Sequence, residues 1–140
     1  MQPVAAYLTA LLVFIVVDAV WLSVMGHMLY RPVLGDILLP SLRVAPAIVF
    51  YAVFPVGIVA FAVMPALRSG MVSTAALYGL LFGAIAYCTY DLTNYATLRN
   101  WNLQLTILDV TYGALATAAA AAAATPVARM AASWGGGAAG

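Results

Sequence analysis

Apolar residues fill four stretches of about twenty residues each, separated by breaks in which proline, glycine and arginine collect. About 20 mostly apolar residues in helical form cross a bilayer core. The pattern predicts four spans, at roughly 4–26, 45–67, 74–96 and 103–125. Pro3 marks the start of the first, Pro46 the first turn of the second, and Pro65 lies near the second span's end. Proline is tolerated in the first turn of a helix, where its missing N–H would have had no partner. Pro55 falls inside the second span and predicts a kink. Two breaks are short, Arg68-Ser69-Gly70 and Leu98-Arg99-Asn100-Trp101-Asn102, and short connections favour antiparallel neighbours. The first break, about 27–44, is longer and still apolar, with Met28, Leu29, Val33, Leu34, Ile37, Leu38 and Leu42 interrupted by Pro32, Gly35 and Pro40. A short amphipathic piece lying at the interface is expected there. The fold class is therefore all-α integral membrane: a four-transmembrane-helix antiparallel bundle with an interfacial segment between helices 1 and 2. Residues 1–130 make one transmembrane domain, and 131–140 are expected as a flexible tail.

Composition agrees with that pattern. The chain is 66% hydrophobic and 6% charged, without lysine or glutamate, where a soluble domain carries charge on about a quarter of its residues. The lipid bilayer is thus its first partner. A net charge of +1 argues against nucleic acid as another. The single cysteine, Cys88, excludes an intrachain disulfide and reads as a small packing residue. No basic residue precedes Tyr7, and Asp18 interrupts the first apolar run, so a retained first helix is expected rather than a cleaved leader. Arg31, Arg43 and Arg99 lie in the first and third loops against Arg68 and Arg129 on the other face. The positive-inside rule then leans towards cytoplasmic first and third loops, by one residue.

Against this background three acids stand out. Asp18, Asp91 and Asp109 lie inside the predicted spans, while the fourth acid, Asp36, lies in the first loop. A carboxylate near the bilayer centre costs roughly 3 kcal/mol on insertion scales, and such residues mark function by default. Each aspartate falls about five to eight residues below the end that carries loops one and three, or about 7–12 Å at helical rise. Tyr51 reaches a similar depth in the second span. Helical phase groups Tyr7, Leu11, Phe14, Asp18, Trp21 and Met25 on one face of the first span. It groups Thr106, Asp109, Gly113 and Thr117 on the fourth, and Tyr87, Asp91 and Asn94 on the third, with Tyr90 and Tyr95 beside them. Lipid-facing charge would be unstable, so these faces are expected to point into the bundle. The residues expected to bind a ligand or relay a proton are Asp18, Trp21, Tyr51, Tyr87, Tyr90, Asp91, Asn94, Arg99, Asp109 and Tyr112. Arg99 could pair with Asp91 or Asp109 from above, although such arginines more often reach for water. No metal site is expected: the chain has no Glu-x-x-His spacing, and His27 lies above the aspartate layer. The residues name no cofactor.

The third span also carries Gly79 and Gly83, which with Ala76 and Ala86 form a small-residue stripe. Such stripes let helices approach closely. Packing within the chain is the first expectation, and a homo-oligomer seam through Gly79 and Gly83 the alternative.

The run Thr89-Tyr90-Asp91-Leu92-Thr93-Asn94-Tyr95-Ala96-Thr97-Leu98-Arg99-Asn100-Trp101 is unusually polar for a span. It resembles the signature of a bacterial membrane family catalogued as domain-of-unknown-function family 2177. Phe14, Asp18, Trp21 and Leu22 in the first span resemble that family too, as do Phe50-Tyr51 in the second and Asp109 with Gly113 in the fourth. The likeness covers about residues 4–118. The family commonly has tryptophan where this chain has Tyr112, a change that keeps the aromatic character. The resemblance implies a small four-helix protein of the bacterial inner membrane, crossing it several times. It implies no catalytic residue.

Three functional readings remain open. In the first, which the acids favour, a buried polar pocket near one membrane face binds or translocates a small solute, a proton or a lipid headgroup. In the second, the chain is a structural or accessory membrane subunit. Interhelical hydrogen bonds in membranes average ~0.6 kcal/mol, which is small beside the insertion cost of three aspartates. In the third, an enzyme acts on a lipid with its carboxyls as acid and base. No serine stands in a nucleophile-elbow context.

Overall fold

A computed structural model describes residues 1–136, with side chains through Ser133. Four helices account for nearly all of it: α1 Gln2–Leu34, α2 Val44–Ser69, α3 Val72–Thr97 and α4 Leu103–Gly136. Each is long and apolar enough to cross a membrane. The described residues contain no strand. The helices run antiparallel in a ring. α4 packs along α3 on one side and α1 on the other, and α2 closes the ring between α1 and α3. Large apolar side chains such as Leu8, Leu12, Val16, Val53, Leu81, Ile85 and Leu115 cover the outside, where lipid replaces water as the solvent.

The half of the bundle away from the aspartates is packed with very small residues. Ala6 and Ala10 of α1, Ala62 and Ala66 of α2, Ala75 of α3, and Ala116, Ala120, Ala121, Ala124 and Ala128 of α4 are all buried together. In lipid no hydrophobic force separates helices from solvent, so close van der Waals approach supplies much of the packing energy. Two buried hydroxyls on α4 are satisfied on their own helix: Thr117 donates to Gly113 O at 2.7 Å and Thr125 to Ala121 O at 2.8 Å. The turn at this end is made by Gly70, whose φ of 74° lies in the left-handed region that glycine adopts without strain.

Gly79 and Gly83 pack within the chain. A Cβ on Gly79 would meet Ala118 Cα at 2.9 Å, and one on Gly83 would meet Gly113 O at 2.5 Å and Thr117 Oγ1 at 2.6 Å. This face of α3 is therefore packed against α4 within the chain.

Two boundaries differ from the expected ones. The stretch expected as an interfacial loop from about 27 is helical as far as Leu34, and only 35–43 forms a loop. Pro32 does not end α1 because the ladder has already widened: Gly26–Tyr30 is a π-turn, and Arg31 N–H bonds Gly26 O, five residues back. A wider turn absorbs both the missing donor and the ring of a proline just beyond it. α2 repeats the device, with the π-turn Val59–Val63, a bond from Met64 N–H to Val59 O, and Pro65 next in sequence. Pro55 lies inside continuous helix. Finally, α4 runs on through Pro126 to Gly136, past the expected end at 125, so the start of the expected tail is helical. Residues 137–140 of that tail lie outside the described residues.

Candidate functional site

The aromatic and acidic residues gather in the half of the bundle nearest the loops 35–43 and 98–102. α4 begins there with Asn102, whose Oδ1 accepts the Leu105 N–H at 2.8 Å, an N-cap that satisfies one of the free donors of the first turn. Trp101, buried beside it, donates Nε1–H to Thr106 Oγ1 at 3.1 Å. The last turns of α1 lie against this start of α4, with Leu29 and Leu34 packed on Trp101 and Leu105. Asn100 Nδ2 donates to Asp36 Oδ1 at 3.1 Å, tying loop 35–43 to loop 98–102.

Below this cap lies a cleft of about 720 Å³. Its walls come from all four helices and both loops: Trp21 and Leu22 of α1, Tyr30 and Leu34 further along, Leu38 and Leu42 of the loop, Phe50 and Phe54 of α2, Ala86, Tyr87 and Tyr90 of α3, then Trp101, Asp109 and Tyr112. Asp18 lines it as well. No arginine or histidine is among these residues.

Asp18 and Asp109 are each only 6% exposed. Asp18 accepts two hydrogen bonds, from Tyr51 OH on Oδ2 and from Tyr112 OH on Oδ1, the latter at 2.7 Å. Asp109 Oδ1 accepts from Tyr30 OH, which itself accepts Trp21 Nε1–H at 2.8 Å. Only Oδ1 of Asp109 accepts a well-aligned hydrogen bond, and the Trp21 indole N–H is the other donor beside the carboxyl. The Trp21 and Tyr112 rings stack with centroids 4.1 Å apart and planes 7° from parallel, and Tyr87 presents an edge to Tyr112 at 6.1 Å. Tyr87 also lies directly on Gly113, where any Cβ would collide with its ring.

Asp91 stands apart. It is fully buried, and neither of its carboxyl oxygens has a hydrogen-bond partner among the described residues. It follows Gly79, Gly83 and Tyr87 along the face of α3 that packs on α4. Continuing that antiparallel register brings it level with Asp109, behind the cleft wall rather than in it.

The expected residues thus divide. Asp18, Trp21, Tyr87, Tyr90, Asp109 and Tyr112 line one cleft, and Tyr51 reaches it through Asp18. Asp91 and the half-buried Asn94 do not line it. Arg99 is exposed in its loop, away from the lining. The three acids do not form one cluster: among the described residues no three His, Cys, Asp or Glu side chains converge as ion ligands. Tyr30, Phe50, Phe54 and Trp101 belong to the site without having been singled out for it. Tyr30 was hidden by the π-turn. On a regular helix the face of Asp18, Trp21 and Met25 next arrives at Met28 and Leu29, and the widened turn adds the residue that brings Tyr30 onto it.

The model of the family described as Predicted membrane protein (DUF2177) matches residues 3–126. No curated protein and no solved structure matches the chain.

Proposed function

This chain belongs to the DUF2177 family of predicted membrane proteins, and we propose that its cleft binds an amphiphilic ligand drawn from the membrane. The observation that carries this reading is a cleft of about 720 Å³ with aromatic and aliphatic walls and one open acceptor, Asp109 Oδ2. Ligand sites of this kind are concave, mostly apolar, of some 300–1,000 Å³, and hold a few convergent polar groups. Apolar walls call for an apolar body, and a carboxyl oxygen facing the cleft on a residue only 6% exposed calls for a donor on it. A lipid, or a solute of lipid-like shape, supplies both. Residence in the bacterial inner membrane is part of the proposal, supported by the likeness of the first- and third-span motifs. Passage of the ligand or of a proton across the bilayer would be a further property of the same site.

One observation favours a structural reading instead: Asp18 already has both oxygens satisfied by Tyr51 and Tyr112. In that reading the aspartates only tie helices together. The two differ in an experiment on the full chain in lipid nanodiscs, with bound amphiphiles counted by native mass spectrometry. Ala86 lines the cleft, and Ala86→Trp fills it without touching either aspartate. Binding predicts one retained amphiphile per wild-type chain and its loss in the folded Ala86→Trp protein. Equal retention by both proteins sinks the binding reading.

A further inference from the structure

Acidic side chains gather in this half of the bundle without basic ones beside them in the cleft lining. Asp18 and Asp109 line the cleft, Asp91 is buried at the level of Asp109, and no basic side chain lines the cleft. Buried charges in proteins are normally paired. The donors that do reach the cleft acids, the hydroxyls of Tyr30, Tyr51 and Tyr112, are neutral. Both oxygens of Asp91 remain without a donor, and Asp109 Oδ2 has no well-aligned one. The walls add a second feature: eight of the fifteen lining residues are aromatic. The face of an aromatic ring carries negative potential, and rings lining a pocket are a general solution for holding organic ammonium groups.

We propose that the polar end of the ligand is an organic cation, an ammonium group held among Trp21, Tyr87, Tyr90 and Tyr112 with its charge against the open side of Asp109. This rests on the cleft being a ligand site and adds the chemistry of what enters it. A neutral hydroxyl head would satisfy Asp109 Oδ2 but would gain nothing from the ring faces or from a second carboxyl close by. An anionic head would face two carboxyls with no cation to meet it. The apolar walls formed by Leu34, Leu38, Leu42, Phe50 and Phe54 take the rest of the amphiphile. The cation can arrive as the headgroup of an amine- or choline-bearing lipid or as a free lipophilic ammonium compound.

The test uses the full chain in nanodiscs and three probes of one chain length: dodecyltrimethylammonium, the neutral dodecyl maltoside and dodecyl sulfate. Binding to empty nanodiscs is subtracted. The ammonium probe is expected to bind on the order of tenfold tighter than the neutral one. Asp109→Asn should close most of that gap. Equal binding of the neutral and ammonium probes, or preference for the sulfate, overturns the cation and leaves the cleft as an amphiphile site. No binding of any probe above empty nanodiscs overturns both. The wild-type comparison needs no variant, so it stands even where Asp109→Asn folds poorly. Lipid extracted from the purified chain separates the sources. An amine or choline lipid retained and displaced by the ammonium probe identifies a headgroup, and probe binding without retained lipid identifies a free cation. Either supports the proposal.

Discussion

Replacing Gly83 by alanine adds one methyl group where α3 and α4 cross in close contact. The new Cβ would lie 2.5 Å from Gly113 O, 2.6 Å from Thr117 Oγ1 and 2.7 Å from Thr117 Cβ. The first of these atoms is backbone, and Thr117 is fully buried with its hydroxyl bonded to Gly113 O, so neither can turn aside. α3 and α4 must move apart by roughly 1 Å to restore ordinary contact, and a gap of that size forfeits a quarter to a half of each neighbouring dispersion contact. Overpacking of this kind costs about 1–3 kcal/mol, and the rigid neighbours put Gly83 at the upper end. Alanine returns up to about 1 kcal/mol through its better helix propensity. The net expectation is a loss of about 1–2 kcal/mol. Gly26→Ala is the control, since a Cβ there meets nothing within 4 Å, and propensity alone predicts a gain of roughly 0.5 kcal/mol or more. The two substitutions should therefore differ by about 2 kcal/mol. Reversible unfolding in mixed micelles of rising sodium dodecyl sulfate fraction, followed by far-ultraviolet circular dichroism, measures both. A Gly83→Ala protein as stable as wild type refutes the close-packing argument. So does one that stays folded but loses an oligomer, because Gly83 would then have been facing another chain.

Three other substitutions test separate parts of the site. Tyr112→Phe keeps an aromatic ring against Trp21 and removes one donor to Asp18. It should cost about 1–3 kcal/mol in the same micelle assay, and Tyr112→Phe in an Asp18→Asn background should cost measurably less. Asp91→Leu removes a buried group that has no hydrogen-bond partner among the described residues. Apolar replacement of such a group at similar volume is neutral or stabilising, so unfolding at or above the wild-type midpoint is expected, and a loss above about 1 kcal/mol shared by the smaller Asp91→Val would mean that Asp91 has a partner in the membrane. Asn102→Ala removes the N-cap of α4 and should cost about 1 kcal/mol, with faster amide hydrogen exchange confined to the residues after Leu103.

The four-helix architecture was legible because length and apolarity alone decide what can cross a bilayer. The inward faces were legible for the same reason: Phe14, Asp18, Asp91, Thr106, Asp109 and Thr117 are all buried, as helical phase required. The errors came where the helical period changes. Proline counts as a stop in sequence, but a π-turn one step ahead of Pro32 carried α1 on to Leu34 and moved Tyr30 into the site. Depth alone placed the three aspartates in one layer. It could not say that Asp18 meets Tyr112, three residues deeper on α4 than Asp109, or that Asp91 lies behind the wall. Those facts depend on helix register, which close packing at Gly79, Gly83 and Gly113 sets. Arg99 had the right height for an ion pair but sits on an exposed loop, where water serves it as well as a carboxylate would.

The measurement closest to the central claim is an electron cryomicroscopy map of the chain in nanodiscs made from its native membrane, with the cleft between Asp18 and Asp109 inspected for density. The account predicts an elongated density along Phe50 and Phe54 whose polar end lies within hydrogen-bonding or ion-pairing reach of Asp109 Oδ2. A cleft closed by its own aromatic side chains, with Asp109 Oδ2 bonded to a neighbouring helix, would contradict it.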